Sequence, residues 1–322
     1  MTKYLVSGYI GFDNFGDEAI VKVLTNHLKK IGAEKITLLS SNPKKTSELY
    51  CVNSEYFLKF LKPILETDVL ISGGGSLLQD ITSLKSLIYY LTVIVTALVF
   101  NKKVIIFAQG FTPFRTKIGK YLTKFVLKYC NKIYVRDLKS QKILKNLNIN
   151  SELISDPVFG LDIPNKKHSG IGVQLRDFRG VSDYFLNILA DEIAIKFKKN
   201  TIKLYSLQDD LDLFILEKFS SILKSKGVKS KIYKSLSVED SIKELSKLEY
   251  LISMRFHASL VGAKAGVKVL GINYDIKVLS LSQLIGFPII ELNQNNLSDG
   301  FNNLLNLKTE NYNIPEFEFP NF

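Results

Sequence analysis

Short apolar runs that stop at a glycine or a polar residue, each followed by a stretch of helical periodicity, recur along this chain and constrain its fold more than any other feature. The first run, Tyr4-Leu5-Val6-Ser7-Gly8, precedes a stretch in which Ile20, Val23, Leu24, Leu28 and Ile31 share one helical face. Asp17 and Glu18 sit in its first turn and Gly32 just past its end, where helix termini favour them. Residues 35–39, 68–72, 103–110 and 132–135 repeat the apolar run, and residues 117–129 and 138–147 repeat the helical stretch. After a polar, proline-containing segment at 161–170, strands are expected again at 170–175, 201–205, 231–233, 250–252 and 267–272. Strands alternating with helices imply a parallel sheet covered by helices.

Two such series in 322 residues predict an α/β protein of two Rossmann-like, doubly wound parallel-sheet domains facing a cleft, a GT-B-like architecture. The segment at 161–170 divides an N-terminal domain, 1–164, from a C-terminal domain, 165–322. The tail of the latter, from Asn293, reads as a crossing helix followed by an extended strap.

Charge and cysteine content narrow the partners. A net charge of +12 and a pI near 9.3 suit nucleic acid, an anionic membrane or an acidic substrate. The lysines read as scattered along the whole chain, and no basic run is interleaved with aromatics as on a base-stacking platform. Nucleic acid is therefore not the expected partner, whereas peripheral contact with a membrane carrying a lipid-linked acceptor stays open. Cys51 and Cys130 form no CxxC, and His27, His168 and His257 are the only histidines, so no structural metal is expected. The charge-free stretch 87–100 is too short to span a bilayer and reads as a buried helix. The first residues lack the apolar core of a signal peptide, which points to the cytoplasm, with the inner face of the plasma membrane as a further location.

The chemistry-bearing residues stand where strands end. Ser253-Met254-Arg255-Phe256-His257 follows the apolar run Tyr250-Leu251-Ile252, and Tyr274-Asp275-Ile276-Lys277 follows the next strand. In open α/β sheets ligands bind at such carboxyl ends, and a helix N-terminus there favours an anion. Arg255 and His257, two apart on an extended segment, would point the same way. Arg136 and Arg176 also close strands, Arg136 as an anion clamp or as a partner of Asp137. Gly73, Gly74 and Gly75, followed by Ser76 and Gln79, allow positive φ and close backbone approach by a ligand. The spacing of Gly8, Gly11 and Gly16 fits no dinucleotide fingerprint, and Asn14 and Asp17 read as polar groups lining the top of the sheet.

In order along the chain, several stretches resemble the polysaccharide pyruvyl transferase family. They are Gly8-Tyr9-Ile10-Gly11-Phe12-Asp13-Asn14-Phe15-Gly16-Asp17-Glu18, Ser72-Gly73-Gly74-Gly75-Ser76-Leu77-Leu78-Gln79-Asp80 and Ala108-Gln109-Gly110. Val135-Arg136-Asp137, Asp156-Pro157, Met254-Arg255-Phe256-His257 and Tyr274-Asp275-Ile276-Lys277-Val278 complete the set. The likeness is to the bacterial branch that modifies cell-wall polysaccharides. Phe256, Ala258-Ser259 and Ile276 depart from that pattern, as does Gln109-Gly110-Phe111-Thr112-Pro113.

The resemblance implies transfer of the pyruvyl group of phosphoenolpyruvate to two hydroxyls of a sugar, free or in a lipid-linked oligosaccharide, as a cyclic ketal. It makes His257, Arg255 and Lys277 the catalytic set, with His257 as general acid. Arg136, Arg255 and Lys277, with Arg176 as a weaker candidate, would hold the donor's phosphate and carboxylate. Asp17, Gly73, Gly74, Gly75, Ser76 and Gln79 would face the acceptor. No cofactor or metal is implied. A nucleotide-sugar glycosyltransferase and a non-catalytic carbohydrate-binding protein of the same architecture are the alternatives.

Overall fold

The structure is a computed structural model that describes residues 1–81, 83–164 and 167–322. Its contacts divide the chain into two compact units, Met1–Leu161 with Glu316–Phe322, and Asp162–Pro315. The division expected between residues 164 and 165 abuts Asn165 and Lys166, which lie outside the described residues.

In the first unit β1 (Lys3–Ser7), β2 (Lys35–Ser40), β3 (Asn53–Tyr56), β4 (Val69–Gly73), β5 (Lys103–Gln109), β6 (Lys132–Val135) and β7 (Glu152–Leu153) form a parallel sheet in the order β3-β2-β1-β4-β5-β6-β7. In the second, β8 (Ile171–Gln174), β9 (Ile202–Tyr205), β10 (Ser230–Tyr233), β11 (Tyr250–Ser253), β12 (Lys268–Asn273) and β13 (Ile289–Glu291) run in the order β10-β9-β8-β11-β12-β13. Helices connect the parallel strands, so central strands are buried on both faces. Leu5, Val6, Leu70, Ile71, Leu251 and Ile252 are all fully buried. Strand order reverses between β1 and β4 and again between β8 and β11. These two switch points open a crevice at the carboxyl ends of each sheet.

Local signals set the helices that feed those ends. Phe15–Lys30 starts at Asn14, whose side chain accepts from the Gly16 N–H, and buries Ile20, Leu24 and Leu28. Leu84–Val99 forms as expected from its apolar run but is buried on one side only. Leu87, Leu91 and Ile94 face the core, while Ile88, Val95 and Val99 face solvent, because a crossover helix is the outermost layer of the sheet it covers. In β5 the register against β6 shifts between Ile106 and Gln109, and Ala108 takes φ 51°. This bulge turns Gln109 inward, where its amide donates to Ser72 Oγ at 2.9 Å. Gln109 is fully buried and ties β5 to β4.

The tail divides its allegiance. Helix Ser298–Asn306 buries Phe301 and Leu304 in the second unit, but Glu316–Phe322 belongs to the first, not to the C-terminal domain in which the sequence placed it. Phe317 and Phe319, two apart, share one face of the extended strap, and Phe322 joins them against the core. Phe319 stacks on His27 at 3.6 Å between ring centroids and lies parallel to Phe107 at 5.8 Å, while Phe322 meets both rings edge-on. Ser155 Oγ donates to the Glu316 carbonyl and Tyr134 Oη to that of Asn321. Complete burial of a phenylalanine is worth about 3–5 kcal/mol against alanine, so half-buried Phe319→Ala should lower stability by roughly 1–2 kcal/mol in urea titrations. Burial, and then Lys30, hold His27 below its ordinary 6.5, so the stack is at full strength above that pH and weakens as pH falls. His27→Phe should therefore flatten the loss of melting temperature on acidification below 6.5.

Candidate functional site

The carboxyl ends of β8, β11 and β12 carry a cluster of cationic and titratable side chains in the second unit. Neighbouring β11 and β12 each run directly into a helix, Phe256–Lys264 and Ile276–Ile285, and the two helices pack together. His257 and Lys277 are each the second residue of their helix, and both are half-buried. Asp275 caps the second helix by accepting from the Lys277 N–H at 2.9 Å. Among the described residues no side chain caps the first, whose opening N–H groups point beyond β11. Phe256 meets the His257 ring edge-on at 4.9 Å. Half-buried Arg176 follows β8 across the switch point, its N–H directed at Met254 Sδ at 3.3 Å, and Phe178 packs on Tyr274 beyond β12. The expectation that Arg255 and His257 share the side of an extended strand does not hold. The helix begins at Phe256, so only Arg255 is extended.

Arg255 itself is buried beneath this cluster. Its guanidinium makes a bidentate pair with Asp212, Nε to Oδ2 at 3.0 Å and Nη2 to Oδ1 at 2.6 Å, and both Nη atoms reach Gln208 Oε1 at 3.4 Å. Arg255 is 8% exposed and Asp212 0%, so the two charges cancel out of solvent. Asp212 also accepts the N–H groups of Leu207 and Gln208, and Gln174 Oε1 accepts the Arg255 N–H. The arginine read as a donor clamp is thus the anchor of the turn that presents His257. Sequence reasoning missed Asp212 and Gln174. Asp212 carries a signal, since it stands on the buried helical stripe continued by Ile215, Leu216 and Phe219, where a lone carboxylate needs a partner.

In the first unit β4, β5 and β6 bring Ser76, Gly110 and Arg136 together. A Cβ on Gly110 would lie 2.9 Å from Ser76 Oγ and 3.1 Å from Arg136 Nε, so only glycine lets both approach. Arg136 pairs with Asp156 at 3.0 Å, while its neighbour Asp137 caps helix Leu138–Lys145 instead. The three glycines expected to face a ligand are buried against helix Phe15–Lys30. Gly74 and Gly75 take φ of 81° and 66°, and a Cβ on Gly75 would sit 2.4 Å from Asp17 Oδ1. Ser76 and Gln79 are half-buried, and Gln79 accepts from the Ile81 N–H. The loop after β1 is fixed by Glu18, which sequence reasoning noted only as a helix-start signal. Its carboxyl accepts the Gly11 N–H at 2.7 Å and meets the Tyr50 hydroxyl. Burial pushes Glu18 up to about 7, against those two hydrogen bonds and with help from Asp17 and Asp13.

Comparison with solved structures defines the class. UDP-GlcNAc 2-epimerase from Methanocaldococcus jannaschii superposes with a TM-score of 0.67 at 12% identity, over 98% of this chain and 95% of that one. HepE from Anabaena, solved with UDP and glucose, gives 0.64 at 10% identity over 98% and 92%. A glycosyltransferase from Rickettsia africae gives 0.61 at 14% identity over 94% and 88%. At these identities the likeness is one of fold, and the fold is GT-B-like. A family model described as polysaccharide pyruvyl transferase matches residues 14–276, and the chain belongs to that family. No curated protein matches the sequence.

Two outcomes follow from the buried charges. Asp212→Asn leaves Arg255 buried without a counter-charge and should cost about 3–5 kcal/mol in denaturant unfolding, whereas Asp212→Leu with Arg255→Met should recover most of it. Glu18 ionises near 4.5 in the unfolded chain and near 7 in the fold, so its contribution is complete below 4.5 and declines as pH rises to about 7. Urea titrations across that range should show wild type losing roughly 3 kcal/mol relative to Glu18→Gln.

Proposed function

We propose that the protein transfers the pyruvyl group of phosphoenolpyruvate onto two hydroxyls of a sugar in a polysaccharide or its lipid-linked precursor, releasing phosphate. Family membership supports the reading, and the observation that carries it is the placement of His257 and Lys277 at paired helix N-termini beside a switch point. Phosphoenolpyruvate brings a phosphate and a carboxylate. Helix-terminal N–H groups and the Lys277 ammonium suit the two anions, with Arg176 closing the site from β8.

The reaction asks for a proton on the donor's methylene carbon. In this scheme His257 delivers that proton, C2 becomes electrophilic, and one sugar hydroxyl adds there while its own proton returns to the imidazole. The second hydroxyl then forms its bond to C2 as the C2–O bond to phosphate breaks, and its proton leaves with the phosphate. Arg255 acts through Asp212 and Gln174 by holding the turn beneath His257. By the motif resemblance Arg136 of the first unit goes with the donor, and Asp17, Ser76 and Gln79 go with the acceptor. Specificity for a cell-wall sugar is part of this proposal, resting on the motif resemblance.

Phosphoenolpyruvate at a hundredfold excess over its Kd should stabilise the purified protein by about 2.7 kcal/mol, read as a rise in melting temperature. His257→Ala should keep that rise and lose roughly 10²- to 10⁴-fold in turnover. Lys277→Ala should lose the rise. A rise with UDP-sugars and none with phosphoenolpyruvate, or full turnover in His257→Ala, would overturn the assignment.

A further inference from the structure

Between residues 81 and 136 the chain carries ten Lys and Arg residues and no Asp or Glu, so lysines that read as scattered leave their excess charge concentrated in one stretch. That stretch contributes two crossover helices of the first unit, Leu84–Val99 and Lys117–Leu127, which pack against each other and into one core cluster. Each buries one side, and on a water-facing helix the other side is polar. Here it is not. Ile118, Tyr121 and Phe125, spaced three and four apart, are 63%, 68% and 51% exposed. On the neighbouring helix Ile88, Val95 and Val99 are exposed as well. Lys117, Lys120 and Lys128 stand exposed beside the apolar stripe, and Lys124 is half-exposed within it.

We propose that this face docks on an anionic lipid bilayer, with the stripe entering the boundary between headgroups and acyl chains and the lysines meeting lipid phosphates. Amphipathic surface helices with aromatic and aliphatic residues rimmed by lysine bind membranes in this way. Exposed apolar side chains on two helices packed together mark an interaction site, and their chemistry selects the partner. The expectation that no basic run is interleaved with aromatics fails here, since Lys120, Lys124 and Lys128 flank Tyr121 and Phe125. The rest of the face, Ile88, Val95, Val99 and Ile118, is aliphatic and suits acyl chains, giving a base no ring to stack on. A second copy docked through the same face would set lysine against lysine across the two-fold axis, with no carboxylate in the stretch to offset them. Among the described residues no helix is long and apolar enough to cross a membrane. A lipid-linked acceptor would give this docking a use, but the face and its test need neither donor nor acceptor.

The test is co-sedimentation of the full chain with vesicles of phosphatidylcholine alone and of phosphatidylcholine containing phosphatidylglycerol. Wild type should bind the anionic vesicles, and raised salt should release it. Tyr121→Ser with Phe125→Ser should weaken binding at least about tenfold. Lys120→Gln, Lys124→Gln and Lys128→Gln together should weaken it about a hundredfold, at roughly fivefold for each lysine. Phe214→Ser, an equally exposed residue of the second unit, should bind as wild type does. Circular dichroism should show all variants folded, since the changed side chains lie outside the core. Three results would overturn the proposal: no binding to anionic vesicles, equal binding by wild type and both variant sets, or a solution dimer that Phe125→Ser dissociates.

Discussion

Parallel strands cannot be joined by tight hairpins, and that constraint shapes both units. Each strand must be followed by a crossover, here most often a helix, so helix N-termini collect at the carboxyl edge of the sheet. Where strand order reverses, adjacent crossovers leave toward opposite faces and open a crevice. His257 and Lys277 owe their placement to this geometry. Each is the second residue of a helix that starts as soon as its strand ends, and the strands are neighbours. Ser76, Gly110 and Arg136 occupy the corresponding edge of the first sheet for the same reason.

Within that frame buried charge supplies local rigidity. Asp212 and Arg255 are costly to remove from water, and they persist because each satisfies the other and the surrounding amides. The network joins the end of β8, the start of helix Asp209–Ser225 and the turn after β11. Glu18 has a comparable place in the first unit, tying the loop after β1 to Tyr50, but burial makes it hold its proton toward neutral pH.

The alternation of apolar runs and helical stretches was legible along the chain, and so were the strand-end positions of Arg136, Arg176, His257 and Lys277. These follow from patterns a few residues long. What could not be read depended on partners far away in sequence. Arg255 looked like an open cation because Asp212 is 43 residues distant, and Arg136 was weighed against adjacent Asp137 when its partner is Asp156. The glycines at 73–75 were read for their backbone freedom, whereas their use is set by a helix nearly 60 residues earlier. The bulge at Ala108 defies local rules altogether, since no residue preference marks an alanine for positive φ. The outward faces of Leu84–Val99 and Lys117–Leu127 were missed because apolar content alone does not say which side of a helix meets the core.

The strap at Glu316–Phe322 bears on how the chain is made. His27 and Phe107 emerge early from the ribosome, yet the rings that cover them come only after the whole second unit, Asp162–Pro315, has been translated. At about 5–20 residues per second that interval is roughly 10–30 s. Through it the nascent first unit holds an aromatic face open to water, and its core is closed only by a segment that follows the whole second unit.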